Sequence, residues 1–207
     1  MSAPIPHLPA PPQSHGVWFV QRCAVTASAP AGLGELLRTL GASVPAEAEA
    51  ASIGVGVWRA RSGAALVHEG APAEAVHVVR SGSFKCVKTS EDGYEQVLCF
   101  ASPGDVLGFE GISRHQHTAS VVALEDATVF TLPLRELDRW RSQFPSLDQA
   151  MQFALSRQLA RGGEIAEMMA AVAAETRLAR FLVWLSRCMA ERGQSPRRLY
   201  LRMSRRD

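Results

Sequence analysis

The residues best suited to chemistry in this 207-residue sequence are four cysteines and two histidines two positions apart. The cysteines are Cys23, Cys86, Cys99 and Cys188, and no two of them have the CxxC spacing of zinc and redox motifs. Such scattering favours reduced thiols in a cytoplasm over a disulfide framework. We therefore interpret all four as small, buried apolar residues.

The two histidines belong to "RHQH", residues 114–117. Side chains two positions apart on a strand point to the same face, so His115 and His117 could bind one metal ion. The pair resembles part of the metal motif of the cupin family, but that motif needs a glutamate closer than Glu125. We therefore expect solvent-exposed loop histidines and no metal site.

Positive charge is concentrated near the end of the sequence. The net charge is only +2, yet residues 175–207 hold nine arginines against three acidic residues. Two interpretations stay open: a solvated helix face balanced by acids elsewhere, or the edge of a nucleic-acid-binding surface.

Composition indicates a globular protein with an irregular start. Apolar residues make up 47% and charged residues 20%. No run of about 18 apolar residues occurs, so we expect no membrane-spanning segment and a cytoplasmic location. Residues 1–30 are rich in proline and alanine, with five prolines in the first twelve residues, and are predicted to be a disordered tail.

Residues 31–145 are predicted to form a jelly-roll. Two short helices come first, in "GLGELLRTLG" and "PAEAEAASIG", each closed by a glycine. Between residues 55 and 133, short β-rich runs alternate with turns that contain Gly, Asp or Ser. This pattern is typical of antiparallel hairpins in a sandwich or barrel. The predicted fold class is therefore mainly β plus α, built on a small double-stranded β-helix.

A long helix is predicted at residues 146–173, with Ser146 as its N-cap, after a short helix that Pro145 ends. A heptad seam with 4-3-4-3 spacing runs along the long helix and consists of Met151, Leu155, Gln158, Gly162, Ile165, Met169 and Val172. The helix is about 40 Å long, more than a small jelly-roll can cover. We interpret the seam as a dimer interface, and packing on its own domain is the alternative.

Residues 174–207 are predicted to begin a second domain. A helix in "ETRLARFLVWLSRCMAERG" is followed by a short strand in "RRLYLRM" and then by "SRRD". Ser204 can accept the free N–H groups of a first helical turn, and Asp207 lies where the helix dipole favours an acid. A further helix is therefore expected to start at the last four residues.

This order of elements resembles that of the CRP/FNR family of bacterial transcription regulators. "RSGSFKCVKTSEDGYEQVLCFASPGDVLGFEGI" is similar to the FNR branch, and the segment from residue 174 is similar to the entry of that branch's DNA-binding domain. The resemblance covers about residues 54–207. It implies a jelly-roll of the cyclic-nucleotide-binding type, a dimerisation helix, and an incomplete winged helix-turn-helix whose recognition helix would follow Asp207.

The resemblance also implies partners: a second copy of the chain, DNA once the helix-turn-helix is complete, and RNA polymerase. The hairpin "TSEDGYEQ" and the loop "GFEGISRHQH" are the candidate polymerase contacts. The candidate contacts to the DNA backbone are Arg197, Arg198, Arg205 and Arg206.

A cyclic nucleotide in such a jelly-roll needs a glutamate for the ribose and an Arg-Ser pair for the phosphate. In this sequence Phe109, between Gly108 and Glu110, occupies the glutamate position, and Thr118-Ala119 stands in place of the Arg-Ser pair. A buried phosphate without a cation would be costly, so the predicted effector pocket is degenerate and we expect no cyclic nucleotide.

The FNR branch carries an iron–sulfur cluster on four thiolates, three near the N-terminus and one on a jelly-roll strand. Cys23 stands alone in its segment, and Phe130 occupies the strand position. We therefore expect no cofactor of this kind.

The leading hypothesis is a CRP/FNR-type regulator and not an enzyme, since no nucleophile–base pair or phosphate-binding glycine loop is found. A cupin-like protein that binds a metal or small ligand is one alternative. A truncated dimerisation partner of a full-length regulator is another.

Overall fold

The computed structural model describes residues 25–51, 53–90, 92–170 and 173–191, together with Ser195 and Arg197. In chain order the elements are β1 (Val25–Gly32), α1 (Leu33–Thr39), α2 (Ala46–Glu49), β2 (Gly54–Ala60), β3 (Ala65–Val67), β4 (Ala75–Ser81), β5 (Phe84–Thr89), β6 (Glu95–Ala101), β7 (Val106–Leu107), β8 (Ser120–Ala123), β9 (Ala127–Pro133), α3 (Leu134–Gln143), α4 (Pro145–Met169) and α5 (Ala174–Glu191).

Within the described residues, nine strands form two antiparallel sheets. One sheet has the order β1-β2-β9-β4-β7 and the other the order β3-β8-β5-β6. Alternate residues of β9 serve two cores: Phe130 and Leu132 pack with the helices, while Ala127 and Val129 pack with the second sheet. The first sheet therefore lies between the helices and the second sheet, which explains why both faces of β9 carry buried apolar residues.

Helices α1, α3 and the first half of α4 cover the outer face of the first sheet. Their apolar side chains share one buried cluster with strand residues such as Val76 and Val78. Leu36 and Leu37 of α1 and Leu147 of α4 are fully buried in it. The predicted jelly-roll fold is confirmed.

The R-S-G turn between β4 and β5 depends on its glycine. Gly82 has φ +80°, and a Cβ built at this position would lie 2.6 Å from the Cβ of Ala127. A side chain would therefore be both strained and in collision.

The predicted disordered tail is wrong for residues 25–30, which belong to β1. This strand pairs with β2 at the edge of the first sheet, and its register shifts between Ser28 and Ala31. Proline is tolerated at edges and bulges, so Pro30 does not prevent pairing. The jelly-roll therefore begins before residue 31, and residues 1–24 lie outside the described part.

The predicted bounds of the long helix also need correction. Pro145 is its first residue and Phe144 precedes it without a side-chain cap, so Ser146 is not the N-cap. Proline suits the first helical position because it has no N–H to leave unpaired. The helix ends at Met169, and Val172 lies outside the described residues. The predicted glycine end of α2 is wrong too, since Ala50 follows its last residue.

Helix α5 contacts the jelly-roll. The ring of Phe181 lies 5.5 Å from that of Phe100 on β6, and Trp184 stacks on Phe181 at 5.9 Å. The predicted strand in "RRLYLRM" and the helix start at "SRRD" lie outside the described residues. None of the helices in the described ranges is long and apolar enough to span a membrane.

Candidate effector pocket and dimer helix

The predicted pocket residues lie between β7 and β8. Gly108 has φ +81° and precedes a single 3₁₀ turn, Phe109–Gly111. A Cβ built on Gly108 would be 3.0 Å from Cε1 of His117, so the imidazole ring packs directly on the glycine. Because glycine has no side chain, the imidazole ring of His117 can lie directly against the backbone of Gly108.

His117 connects this turn to the following loop. It is 5% exposed, and its Nδ1 lies 3.5 Å from Oε1 of Glu110, whose side chain is half-exposed. Nδ1 has no hydrogen-bond partner among the described residues, and the carboxylate of Glu110 is an acidic group close to it.

A second imidazole, His77 of β4, lies in the same part of the jelly-roll. Its Nδ1 is 2.9 Å from Oγ1 of Thr131 on β9. Burial, together with the nearby His117, lowers the pKa of His77 to about 4, so this ring is neutral at pH 7. Sequence reasoning missed this residue, because one histidine in an alternating strand gives no sign of a second one nearby.

The H-x-H pair does not form a common ligand set. His115 is exposed in a turn, with φ +57°, whereas His117 is buried. The prediction that both histidines are solvent-exposed is therefore wrong for His117. The two-residue rule for strands does not apply, since these residues lie in turns around a single bridge between Pro72 and Gln116.

The middle of α4 is fixed to the jelly-roll by polar contacts. Arg161 Nη1 lies 2.8 Å from Oδ1 of the buried Asp105, and Arg157 donates to the carbonyl of Gly104 at 3.3 Å. The other carboxylate oxygen of Asp105 accepts the N–H of Ser102 at 3.0 Å and its hydroxyl at 2.9 Å. The P-G-D turn thus positions the helix, a role that sequence reasoning did not assign.

The first three positions of the predicted dimer seam contact the chain's own jelly-roll, and their role in a dimer stays a prediction. Met151 is 2% exposed inside the helix-covered core, and Leu155 packs against the same core. Gln158 accepts the N–H of Val106 on β7 through its Oε1 at 3.2 Å. Apolar spacing indicates that a helix face is covered, but not whether its own domain or a partner covers it.

The later seam positions differ. Gly162 is exposed and Ile165 is half-buried, while the side chain of Met169 is not among those described. A neighbouring face of α4, about a quarter turn around the helix from the seam, is open to solvent. It includes Leu159, which is 83% exposed, together with the exposed small residues Gly163, Ala166 and Ala170 at spacings of 4-3-4. We call these four residues the open face of α4.

Comparison with known proteins identifies the family. Residues 57–144 match the family model described as cyclic nucleotide-binding domain. The chain is 37% identical over 149 residues to the transcriptional regulatory protein btr of Bordetella pertussis, covering 72% of this chain and 62% of that protein. It is 34% identical over 147 residues to the fumarate and nitrate reduction regulatory protein of Yersinia pestis, covering 71% and 59%.

The chain belongs to the CRP/FNR family of transcription regulators. Its fold is similar to that of FixK2 from Bradyrhizobium japonicum, with a TM-score of 0.61, 24% identity and 75% of each chain covered. The chain spans about half to three-fifths of the length of the curated relatives it matches.

The pocket of this CRP/FNR chain does not fit a cyclic nucleotide. Phe109, at the ribose position, packs towards the helix-covered core. Thr118 is half-buried and Ala119 is buried, and neither supplies charge at the phosphate position, while Arg114 is exposed in the loop. A buried phosphate would therefore have no fixed cation among the described residues of this pocket.

The described cysteines do not fit an iron–sulfur cluster. Cys86 and Cys99 face each other across β5 and β6, and Cys188 is buried on α5. The described residues contain no group of three or more His, Cys, Asp or Glu side chains placed to hold a metal ion. Phe130 is fully buried on its strand, and Cys23 lies outside the described residues.

The arginines predicted to contact DNA lie mostly beyond the described part of this family member. Arg197 is exposed in a turn, whereas Arg198, Arg205 and Arg206 are outside the described residues. Their role in contacting a phosphate backbone stays a prediction.

Proposed function

We propose that this chain is the sensor and dimerisation part of a cytoplasmic, DNA-binding transcription regulator, and that it has no catalytic activity. The observation that carries the proposal is the division of α4. One side of the helix is fixed to the jelly-roll by Met151 and the Asp105–Arg161 ion pair, while none of the residues that the structure describes covers the open face. The relatives that the chain matches are regulators.

The open face of α4 is the proposed contact with a second copy of the chain. Leu159 supplies the large apolar group, and Gly163, Ala166 and Ala170 let two helix backbones approach closely. The spacing of 4-3-4 is that of a coiled-coil seam, rotated around the helix from the seam predicted by sequence. Two parallel helices would then hold two DNA-binding units at a set distance.

DNA is the proposed ligand of the region that begins with α5. Residues 175–207 hold nine arginines against three acidic residues, and Arg197 is exposed. Such a basic segment favours contact with phosphates, while sequence selectivity requires a helix in the major groove. Recognition of a two-fold symmetric site is therefore proposed for the whole protein.

RNA polymerase is the proposed second partner, through the β5–β6 turn and the loop that follows β7. Tyr94 is 66% exposed at the turn, where Ser90 and the backbone of Tyr94 hydrogen-bond to each other. Arg114 and His115 are exposed in the loop. An exposed aromatic ring on a fixed turn is a good contact for another protein.

The proposal is tested by mapping where an epitope-tagged protein, expressed from its own gene, binds the genome. Chromatin immunoprecipitation should recover promoter-proximal sites that share a two-fold symmetric motif. Leu159→Arg should reduce that occupancy strongly, because it places a charge in the dimer contact. Phe153→Arg, at another exposed position of α4, is the matched control and should retain it. Recovery no better than from an untagged strain would contradict the proposal.

A further inference from the structure

Cys86 and Cys99 lie directly opposite each other on neighbouring antiparallel strands. They are register partners on β5 and β6, and their side chains hydrogen-bond to one another. Directly opposed residues in such a ladder have Cα atoms roughly 4.5–5.5 Å apart. Disulfides span Cα separations of about 4.4–6.8 Å, so these two thiols can join with only a small adjustment of the strands.

The pair occupies an accessible part of the sheet. β6 is the edge strand of its sheet, and Cys99 is half-buried, whereas Cys86 is buried among the residues of the second core. The ladder register shifts just after the pair, since Val87 pairs with Val97 and Leu98 is left over. A bulge at an edge gives a small oxidant a route to Cys99 and gives the two strands room to adjust.

The two thiols are not equivalent. The hydrogen bond from Cys86 lowers the pKa of Cys99, and the same bond together with burial raises the pKa of Cys86. The nearby carboxylates of Asp105 and Glu110 act to raise the pKa of both thiols. Cys99, more exposed and richer in thiolate, is therefore the attacking sulfur, with Cys86 behind it as the resolving thiol.

We propose that Cys86 and Cys99 form a reversible dithiol–disulfide site that is oxidised by small hydroperoxides and restored by a dithiol reductant. The Cys99 thiolate attacks a peroxide oxygen and the O–O bond breaks, giving a Cys99 sulfenic acid and a hydroxide or alkoxide that takes up a proton. The Cys86 sulfur then attacks the Cys99 sulfur, the S–O bond breaks, and water leaves with the Cys86 proton. Two thiols lose two electrons in total, and the peroxide is reduced.

Oxidation at this site would change the packing of α5 on β6. Phe100 follows Cys99 on β6, and its ring contacts Phe181, on which Trp184 stacks. A disulfide that draws Cys99 towards β5 therefore shifts the strand residue against which α5 packs. Trp184 is the natural reporter of that shift.

The test uses the wild-type chain and trypsin. Cleavage after Lys85 and Lys88 separates the cysteines into peptides 86–88 and 89–114. After treatment of the reduced chain with a few equivalents of hydrogen peroxide and blocking of free thiols, mass spectrometry should find these peptides joined and two hydrogens lighter. Dithiothreitol should separate them again. Both peptides carrying the blocking group, or Cys99 converted to sulfinic acid beside a free Cys86, would overturn the proposal.

Two variants sharpen the result. Cys86→Ser should leave Cys99 as a sulfenic acid that dimedone traps, because the resolving thiol is gone, whereas Cys188→Ser is the matched control and should still form the disulfide. Formation of the 86–99 disulfide should also change the Trp184 emission, a change that Trp184→Phe removes. An unchanged Trp184 signal beside a complete disulfide would overturn the coupling to α5.

Discussion

The two halves of α4 have the same helical spacing but different surroundings. In residues 145–158 one apolar face, which includes Leu147, Met151 and Ala154, is buried in the chain's own core. In residues 159–169 Met168 is buried but the large apolar Leu159 points to solvent, and the polar contacts to the jelly-roll seen among the described residues end at Arg161. A periodic apolar face therefore predicts burial, and the length of the neighbouring domain decides how far along the helix that burial extends.

The largest loss of stability is expected from removing the buried carboxylate that fixes the middle of α4 to the jelly-roll. Asp105→Ala deletes the carboxylate that holds Arg161 and both donors of Ser102, and should lower the free energy of unfolding by about 4 kcal/mol. Denaturant titration measures this loss. Asp138→Ala, whose carboxylate is exposed on α3, is the control and should change stability by less than about 0.5 kcal/mol. Equal losses from the two variants would contradict the role of Asp105.

A cavity in the core beneath residues 145–158 of α4 should cause the next largest loss of stability. Met151→Ala removes a side chain that is 2% exposed and should cost about 3 kcal/mol of unfolding free energy. Phe153→Ala, two residues away and 64% exposed, should cost no more than about 1 kcal/mol. If the Phe153 variant were the less stable one, the assignment of the buried face would be wrong.

Acid should weaken the jelly-roll itself through His77. Its pKa is lowered from 6.5 to about 4, so as the pH falls the unfolded chain takes up the proton before the folded chain does. The stabilising contribution of the neutral ring is full above pH 6.5 and is lost as the pH falls towards 4.

We therefore expect His77 to account for a loss of about 2 kcal/mol of unfolding free energy between pH 7 and pH 5. His77→Gln, with an amide that can still bond to Thr131, should remove that part of the pH dependence. His115→Gln, at an exposed position, should leave it in place. Identical pH profiles for wild type and the His77 variant would contradict a buried, neutral His77.

Local sequence signals predicted most of the fold. Alternating runs between glycine-containing turns placed β2 to β9 close to their observed positions, because turn geometry and strand period are encoded in neighbouring residues. β1 was missed because its small residues and Pro30 form a strand only through pairing with β2. The strand propensity of a segment contains no information about the strand with which it pairs.

The candidate site was predicted less completely, because its contacts join distant parts of the chain. The degenerate pocket at Phe109 and Thr118 could be read from single positions. Three contacts could not be predicted in this way: the packing of His117 on Gly108, the ion pair between Asp105 and Arg161, and the ring contact between Phe181 and Phe100. Each of these depends on tertiary approach, which periodicity does not contain.

The proposed dimer contact through the open face of α4 is tested most directly by the oligomeric state of the purified chain. In sedimentation velocity at micromolar concentration, the wild-type chain should be a dimer. Leu159→Arg should raise the dimer dissociation constant by about 10- to 100-fold, or about 1.4–2.8 kcal/mol, without changing monomer stability, and Phe153→Arg should remain dimeric. A Leu159→Arg chain that is as dimeric as the wild type, or a wild-type chain that is monomeric at high micromolar concentration, would contradict the assignment of the open face to a second copy.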